Sequence, residues 1–120
     1  MIEVISGLPD QVIGIEAKGK VTRSDYESVI IPLVEKKLRS YKKINFLYYI
    51  GDKFSGMEAD AMWEDAKVGF SNLRAWNKIA VVSNVDWIRK AVKLFEFVIP
   101  GHVKVFANDQ LSEALIWVSE

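Results

Sequence analysis

The stretch GDKFSGMEADAMW, residues 51–63, contains the hydroxyl group that most invites a chemical or regulatory role. Ser55 and Gly56 stand where an apolar run ends and a helix, predicted over residues 56–73, begins. A phosphate is favourable at a helix start, because the first backbone N–H groups have no partner within the helix. Ser55 followed by Glu58 also matches a capping box, in which the serine side chain satisfies those N–H groups. The pattern therefore supports both a helix cap and a phosphorylation site at Ser55.

The residue types that most enzyme mechanisms require are scarce. Catalysis by a serine nucleophile needs a neighbouring base and a group that orients it, and the single histidine, His102, follows Pro100-Gly101 outside any nucleophile motif. The chain has no cysteine, which excludes disulfides, thiol nucleophiles and cysteine-ligated zinc. We expect four carboxylates to form a solvated helix surface: Glu58, Asp60, Glu64 and Asp65. The sequence predicts a non-enzymatic protein without a metal site or cofactor.

The composition predicts one folded domain over residues 1–120. Half of the residues are apolar and 27% are charged, which is enough for a single hydrophobic core. Sixteen basic residues balance sixteen acidic ones, so the chain lacks the basic excess typical of nucleic-acid-binding proteins. No stretch approaches the roughly 18 consecutive apolar residues of a membrane span, and the first residues do not resemble a secretory signal. We expect a cytoplasmic protein, with peripheral membrane contact as a further hypothesis.

The apolar pattern predicts the element order ββαβαβαβα. Strands in IEVI and QVIGIEAKGKV precede a helix that begins at a capping box of Thr22 and Asp25. Pro32 lies inside this helix and predicts a kink or a short break. INFLYYI, residues 44–50, is typical of a strand in the middle of a sheet, and KIAVVS and VKVFA supply further strands. The helices that follow them have alternative caps, namely Asn84 or Asp86 and Asn108 or Asp109. This order predicts an α/β fold, a five-stranded mixed sheet with four helices.

The second and third predicted helices carry more apolar surface than one core face needs. In the second helix, helical spacing assigns a broad face to the core: Ala59, Met62, Trp63, Ala66, Gly69, Phe70 and Leu73. A smaller stripe lies almost opposite and is either neutral surface or an interface with a partner or a second copy: Met57, Ala61 and Val68. In the third helix, DWIRKAVKLFEFVI, Phe97 falls among charged residues. It either folds back at a distorted helix end or stays exposed.

If these two helices pack side by side on the sheet, their aromatic side chains form an apolar groove suited to a fatty or aromatic ligand. A closed aromatic core is the alternative. Apolar residues left exposed beside Arg89, Lys90 and Lys93 also suit a membrane surface. The residues predicted to bind an apolar ligand or membrane are Phe54, Met62, Trp63, Phe70, Trp87, Ala91, Leu94, Phe95, Phe97 and Val98.

The element order and several local sequences resemble the SpoIIAA-like family of the STAS superfamily. The resemblance is carried by GKVTRSDYE, the proline of IIPLVEKKL, FSGMEADAMWEDAKVG, KIAVVSNVDW and PGHVKVFANDQLSEALIW. It implies a fold similar to STAS and CRAL-TRIO domains, binding of apolar ligands or membranes, and no enzymatic activity. STAS relatives that act as anti-sigma-factor antagonists carry a phosphorylated serine or threonine in an Asp-Ser-Ser/Thr-Gly stretch. Ser55-Gly56 matches its end, whereas Asp52 is displaced and Phe54 replaces a small hydroxyl residue.

The first functional hypothesis is a non-enzymatic domain that binds an apolar or lipid-like molecule between the second and third helices and contacts membranes reversibly. The alternative is a protein-interaction module of the anti-sigma-factor-antagonist type, switched by phosphorylation at Ser55. A third hypothesis is a homodimer that associates through the stripe of Met57, Ala61 and Val68.

Overall fold

A computed structural model describes residues 1–120, except for the side chain of Phe70. Over this range the strands are β1 Ile2–Val4, β2 Val12–Ala17, β3 Gly19–Val21, β4 Ile44–Ile50, β5 Phe54–Met57, β6 Trp76–Ser83 and β7 His102–Phe106. Five of them form a mixed sheet in the order β1-β2-β4-β6-β7, in which β1 runs antiparallel to β2 and the other neighbours are parallel. The apolar strand β4 lies at its centre, where Leu47 stands between Gly14 and Ala80.

Four helices cover this sheet over residues 1–120. Helix α1, residues 23–40, consists of an α turn Arg23–Asp25, a π segment Tyr26–Ile30 and an α segment Ile31–Ser40. The others are α2 Ala59–Ser71, α3 Asp86–Phe95 and α4 Leu111–Ser119, with short 3-10 turns at Leu73–Ala75 and Asn108–Gln110. The predicted fold class, an α/β fold with a five-stranded mixed sheet and four helices, is confirmed.

The sheet is buried on both faces because strand side chains alternate between two cores. Along β4, Phe46 and Tyr48 belong to the core under α1, α2 and α3, whereas Leu47 belongs to the core under α4. Three helices therefore cover one face of the sheet and one helix covers the other. Any space that α1, α2 and α3 leave open lies on the first face.

The predicted start of α1 is confirmed. The Asp25 backbone N–H donates to Thr22 Oγ1 at 3.2 Å, and the Thr22 N–H donates to Asp25 Oδ2 at 2.8 Å. Pro32 does not break the helix. It is the second residue of the α segment that follows the π segment Tyr26–Ile30, so the distortion expected from its missing N–H takes the form of a change in helix type.

Residues 54–57 form a strand, which corrects the prediction of a helix start at Ser55. The backbone turns at Gly19, where φ is 61°, and this left-handed conformation separates β3 from β2. Strand β3 then pairs with β5 in a two-stranded parallel sheet. Ser55 lies exposed within β5, and α2 begins at Ala59 after Glu58. The capping box of Ser55 and Glu58 is wrong, because pairing with β3 satisfies the backbone of this segment instead.

The predicted caps and end of the later helices are also corrected. Ser83 Oγ accepts from the Val85 N–H at 3.0 Å at the start of α3, while Asn84 Oδ1 accepts from the Asn108 N–H at 2.9 Å and Asp86 is already helical. Neither Asn108 nor Asp109 caps α4, because both lie in the 3-10 turn before it and Gln110 is the residue that precedes the helix. The Gln110 side chain instead accepts from the Ala107 N–H at 2.8 Å through Oε1.

Helix α3 ends at Phe95, before the predicted end at residue 99. The chain has to return there to the edge of the sheet. At Gly101 it passes so close to β6 that an added Cβ would lie 2.7 Å from the Asn77 carbonyl oxygen. The turn that begins at residue 96 gives the chain room for this approach.

Candidate functional site

The side of helix α2 that faces the sheet is the one that the sequence analysis placed at the surface. Ala61 is fully buried and Val68 packs against the core, whereas Met62 is 43% and Trp63 is 67% exposed. The predicted core face of α2 is therefore wrong. The stripe of Met57, Ala61 and Val68 is covered within one chain, so it does not provide the predicted dimer interface.

Polar contacts with α1 explain this rotation. Glu64 is 5% exposed, and its Oε1 lies 3.2 Å from Lys67 Nζ and 3.8 Å from Arg23 Nε. Asp65 Oδ1 accepts a hydrogen bond of 2.8 Å from the hydroxyl of Tyr26, which is fully buried in α1. The expectation that these two carboxylates form a solvated surface is wrong for Glu64. Asp65 keeps accessible surface but is bonded to the interior.

A cavity of about 110 Å³ lies between the sheet, α2 and α3. Its lining is almost entirely apolar and comes from six elements and the turn after α3. The lining residues are Ile30, Phe46, Tyr48, Asp65, Val68, Gly69, Trp76, Ile79, Val81, Val92, Phe95, Ile99 and Val103. The backbones of α2 and α3 stay apart over most of their length, and the cavity lies in the space between them.

Two separate sets of hydrogen bonds use the polar side chains of this cavity, namely a chain from Tyr48 through Tyr26 to Asp65 and a single bond of Trp76. The Tyr26 hydroxyl donates its proton to Asp65 Oδ1, so in its 3.1 Å contact with Tyr48 it accepts and Tyr48 donates. The indole Nε1–H of Trp76 donates to the Gly69 carbonyl oxygen at 3.2 Å. Tyr48 and Trp76 line the cavity, and the protons of both are already used.

Burial and the carboxylate control the protonation of this chain. Desolvation, reinforced by the nearby Asp65 charge, raises the pKa of both Tyr26 and Tyr48, so both hydroxyls stay protonated at neutral pH. Asp65 retains accessible surface because it lies in a recess that water can enter. The protein around this recess still desolvates the carboxylate and raises its pKa, while the Tyr26 hydrogen bond acts in the opposite direction.

The rotations of α2 and α3 bring their exposed apolar flanks towards the same gap. Arg89 Nη1 bonds the Phe106 carbonyl oxygen at 3.1 Å and turns one flank of α3 towards β7. Trp87 lies about 160° away around the helix, on the flank towards α2. Glu64 likewise turns one flank of α2 towards α1, and Met62 lies about 160° away on the flank towards α3.

The predicted binding residues divide into three groups in the structure. Phe95 lines the cavity. Phe54 is half-buried against the core, and Ala91 is half-buried in α3. Six others are exposed: Met62, Trp63, Trp87, Leu94, Phe97 and Val98. Phe70 was also predicted, and its side chain lies outside the described part of the structure. Phe97 is 91% exposed, so the interpretation that it folds back onto the protein is wrong.

Sequence reasoning missed the polar group of the cavity and most of its apolar wall. A tyrosine in an apolar pattern needs a partner for its hydroxyl when it is buried, which is a signal at Tyr26 and Tyr48. Nothing in the sequence links them to Asp65, because the three residues are far apart in the chain and α2 was assigned the opposite rotation. Gly69 was placed on the core face of α2 but not among the binding residues.

Ser55 lies in a strand rather than at a helix start, and this location removes the physical reason for a phosphorylation site there. A phosphate is favourable at a helix start because unpaired N–H groups and the helix dipole point at it. Ser55 lies within β5, and the first residue of α2 is Ala59. The favourable field of a helix start therefore does not apply to this hydroxyl.

Two further features bear on function. The described residues contain no cluster of three or more His, Cys, Asp or Glu side chains placed to hold a metal ion. Within the same part of the chain, each helix is too short or too polar to cross a membrane.

Comparison with known proteins places the chain in a family. A family model described as SpoIIAA-like matches residues 12–119, while no curated protein matches the chain. The fold is similar to the crystal structure of an uncharacterised protein of the DUF3478 family with a SpoIIAA-like fold, from Shewanella loihica PV-4. The two are 27% identical with a TM-score of 0.76, over 98% of this chain and 92% of that one. These matches support a small interaction module of the STAS type, a family that is generally non-catalytic. The chain belongs to the SpoIIAA-like family.

Proposed function

We propose that this protein is a non-enzymatic binding module that holds a small, mainly apolar molecule in the cavity between α2, α3 and the sheet. The observation that carries the proposal is the cavity itself, which combines a nearly continuous apolar lining with two polar groups, the Asp65 carboxylate and the Tyr48 hydroxyl. Apolar pockets with a few convergent polar groups are the usual form of small-molecule sites. The groove predicted between the second and third helices corresponds to this location.

The volume limits the size of the ligand. A cavity of about 150 Å³ accommodates benzene, so about 110 Å³ limits the buried part of a ligand to a short branched alkyl group or to most of a single ring. Burial of such a group contributes about 0.8 kcal/mol per methylene. A long lipid chain would fit only if α2 and α3 moved apart.

Gly69 offers a way to fill the cavity from the backbone outward. It lines the cavity, and a Cβ built on it would meet no atom within 4 Å. Gly69 is on the same face of α2 as Asp65, one helical turn away. In Gly69→Leu, the new side chain should therefore occupy the cavity, whereas Gly69→Ala should leave most of it open.

The test is a titration of the wild type and both variants with benzyl alcohol, followed by amide NMR shifts and by thermal unfolding. We expect saturable shifts at the lining residues and a ligand-dependent rise in Tm for the wild type and Gly69→Ala. Gly69→Leu should fold and lose both effects. If no single-ring probe, neutral or charged, binds the wild type, or if benzyl alcohol binds Gly69→Leu as well as it binds the wild type, the cavity is not the binding site.

A second candidate function is reversible contact with a membrane surface, which the exposed side chains near the end of α3 favour. Leu94 is 72% and Phe97 is 91% exposed, and Lys93, which precedes Leu94, is exposed as well. Phe97 also borders an open groove lined by Lys78, His102 and Lys104. Apolar side chains beside basic ones are suited to anionic lipid headgroups.

Vesicle sedimentation tests this function. Full burial of each side chain contributes about 1.5–3 kcal/mol, so the double substitution Leu94→Ser and Phe97→Ser should weaken binding to phosphatidylglycerol vesicles at least tenfold. Ile116→Ser is the matched control, because Ile116 is 63% exposed on α4, across the sheet. Equal loss in the control, or no binding of the wild type, would remove this candidate.

A further inference from the structure

We propose that the ligand of the cavity is an amphipathic amine, whose apolar body fills the cavity and whose protonated amino group hydrogen-bonds to Asp65. This inference rests on the proposed binding function and adds the chemical class of the ligand. It follows from the direction of the hydrogen bonds at the polar end of the cavity.

Each proton donor described in the cavity lining is already in use. Tyr48 donates to Tyr26, Tyr26 donates to Asp65 Oδ1, and Trp76 Nε1 donates to the Gly69 carbonyl oxygen. What the two lining residues Asp65 and Tyr48 still offer is acceptor capacity, namely Asp65 Oδ2 and a lone pair of the Tyr48 hydroxyl. A ligand that meets this end of the cavity satisfies these oxygens only if it brings its own N–H or O–H groups.

The charge of Asp65 favours a cation over a neutral donor. Among the described residues, no Lys, Arg or His nitrogen lies within 4.0 Å of its carboxylate, whereas the neighbouring Glu64 is paired with Lys67 and Arg23. Asp65 is exposed on one side and borders the apolar cavity on the other, where fewer water molecules screen its charge, so an opposite charge placed there is attracted more strongly than in bulk water. An ammonium group supplies both this charge and up to three donors.

The same argument disfavours a fatty acid. A ligand carboxylate beside Asp65 would bring two negative charges together in a site of low dielectric, where repulsion is stronger than in water. It would also leave the Asp65 and Tyr48 acceptors without donors. The apolar lining alone does not distinguish these ligands, so Asp65 is the residue that determines the class.

Three ligands that share one ring separate the alternatives: benzylamine, benzyl alcohol and benzoate. We expect benzylamine to bind the wild-type protein at neutral pH at least tenfold more tightly than benzyl alcohol, and benzoate to bind more weakly than both. In Asp65→Asn, the Kd of benzylamine should rise at least tenfold, while that of benzyl alcohol stays within about threefold. Asp60→Asn is the matched control, because Asp60 is exposed on the same helix and the same charge is removed.

The outcomes distinguish the two proposals. If none of the three ligands binds the wild type, the proposed function fails together with this inference. If benzyl alcohol or benzoate binds as tightly as benzylamine, the cavity remains a binding site and the amine assignment is overturned. The assignment is also overturned if Asp60→Asn reduces benzylamine binding as much as Asp65→Asn does. The ranking in the wild type decides the question even if Asp65→Asn does not fold.

Discussion

Replacing Ala61 on α2 by lysine should destabilise the protein more than replacing Trp63 by lysine. Side-chain size alone would suggest the reverse order. Trp63 is one of the largest side chains of the chain, yet it is 67% exposed, whereas Ala61 is fully buried. The two positions lie two residues apart on the same helix. The comparison therefore tests the rotation of α2, which determines whether Asp65 faces the cavity.

The magnitudes follow from burial. A fully covered tryptophan buries about 200 Å², so the covered third of Trp63 corresponds to about 65 Å², or about 1.6 kcal/mol at 25 cal/mol per Å². The lysine stem replaces part of this contact, which leaves a loss of about 1 kcal/mol. At Ala61, a buried ammonium costs several kcal/mol and the larger side chain overpacks the contact with α1. We expect a loss of about 4 kcal/mol or more.

Urea unfolding, monitored by circular dichroism, measures the loss of unfolding free energy in both variants. With an m value of about 1.5 kcal/mol/M, the midpoint should fall by about 0.7 M in Trp63→Lys and by about 2.7 M or more in Ala61→Lys. Ala59→Lys is the control for adding a lysine to this helix, because Ala59 is exposed, and it should stay within about 0.5 kcal/mol of the wild type. A larger loss in Trp63→Lys than in Ala61→Lys would refute this orientation of α2 and, with it, the described cavity.

Three further substitutions test other contacts by urea unfolding. Desolvation raises the pKa of Asp65, so the stability contributed by its protonated carboxyl group is present below the unfolded pKa and is lost as pH rises through the folded pKa. Asp65→Asn should therefore match the wild type in acid and be more stable than the wild type at neutral pH. The opposite trend would contradict this reasoning. Thr22→Ala removes the side-chain cap of α1 and should cost about 1 kcal/mol, unlike Ser24→Ala. Gly101→Ala places a Cβ 2.7 Å from the Asn77 carbonyl oxygen and should destabilise strongly, whereas Gly56→Ala, which meets no atom within 4 Å, should not.

The fold could be predicted from the sequence because its main signals are local. The continuous apolar run of residues 44–50 identifies the central strand, and Thr22 with Asp25 identifies the start of α1. Strand β5 could not be predicted in this way. Its four residues FSGM pair with β3, which lies more than thirty residues earlier in the chain. A helix signal at Ser55 and Glu58 prevailed locally, and a tertiary contact overrode it.

The rotation of α2 was mispredicted for a related reason. Ranking faces by hydrophobicity assigns Met62 and Trp63 to the core, but small residues allow closer packing than large ones. Ala61 brings α2 close to α1, where Arg23 and Tyr26 provide partners for Glu64 and Asp65. The buried polar contacts belong to two helices, so no periodicity within either helix alone could reveal them.

The position of Asp65 connects the stability of this fold with its proposed function. An asparagine could accept the same Tyr26 hydrogen bond without an unpaired charge, so we expect the carboxylate to lower the stability of the unliganded protein at neutral pH. Proteins retain such unfavourable groups where a ligand uses them. At Glu64, one residue away, Lys67 and Arg23 supply cations from within the chain. At Asp65 the corresponding cation is the one that a bound amine would bring.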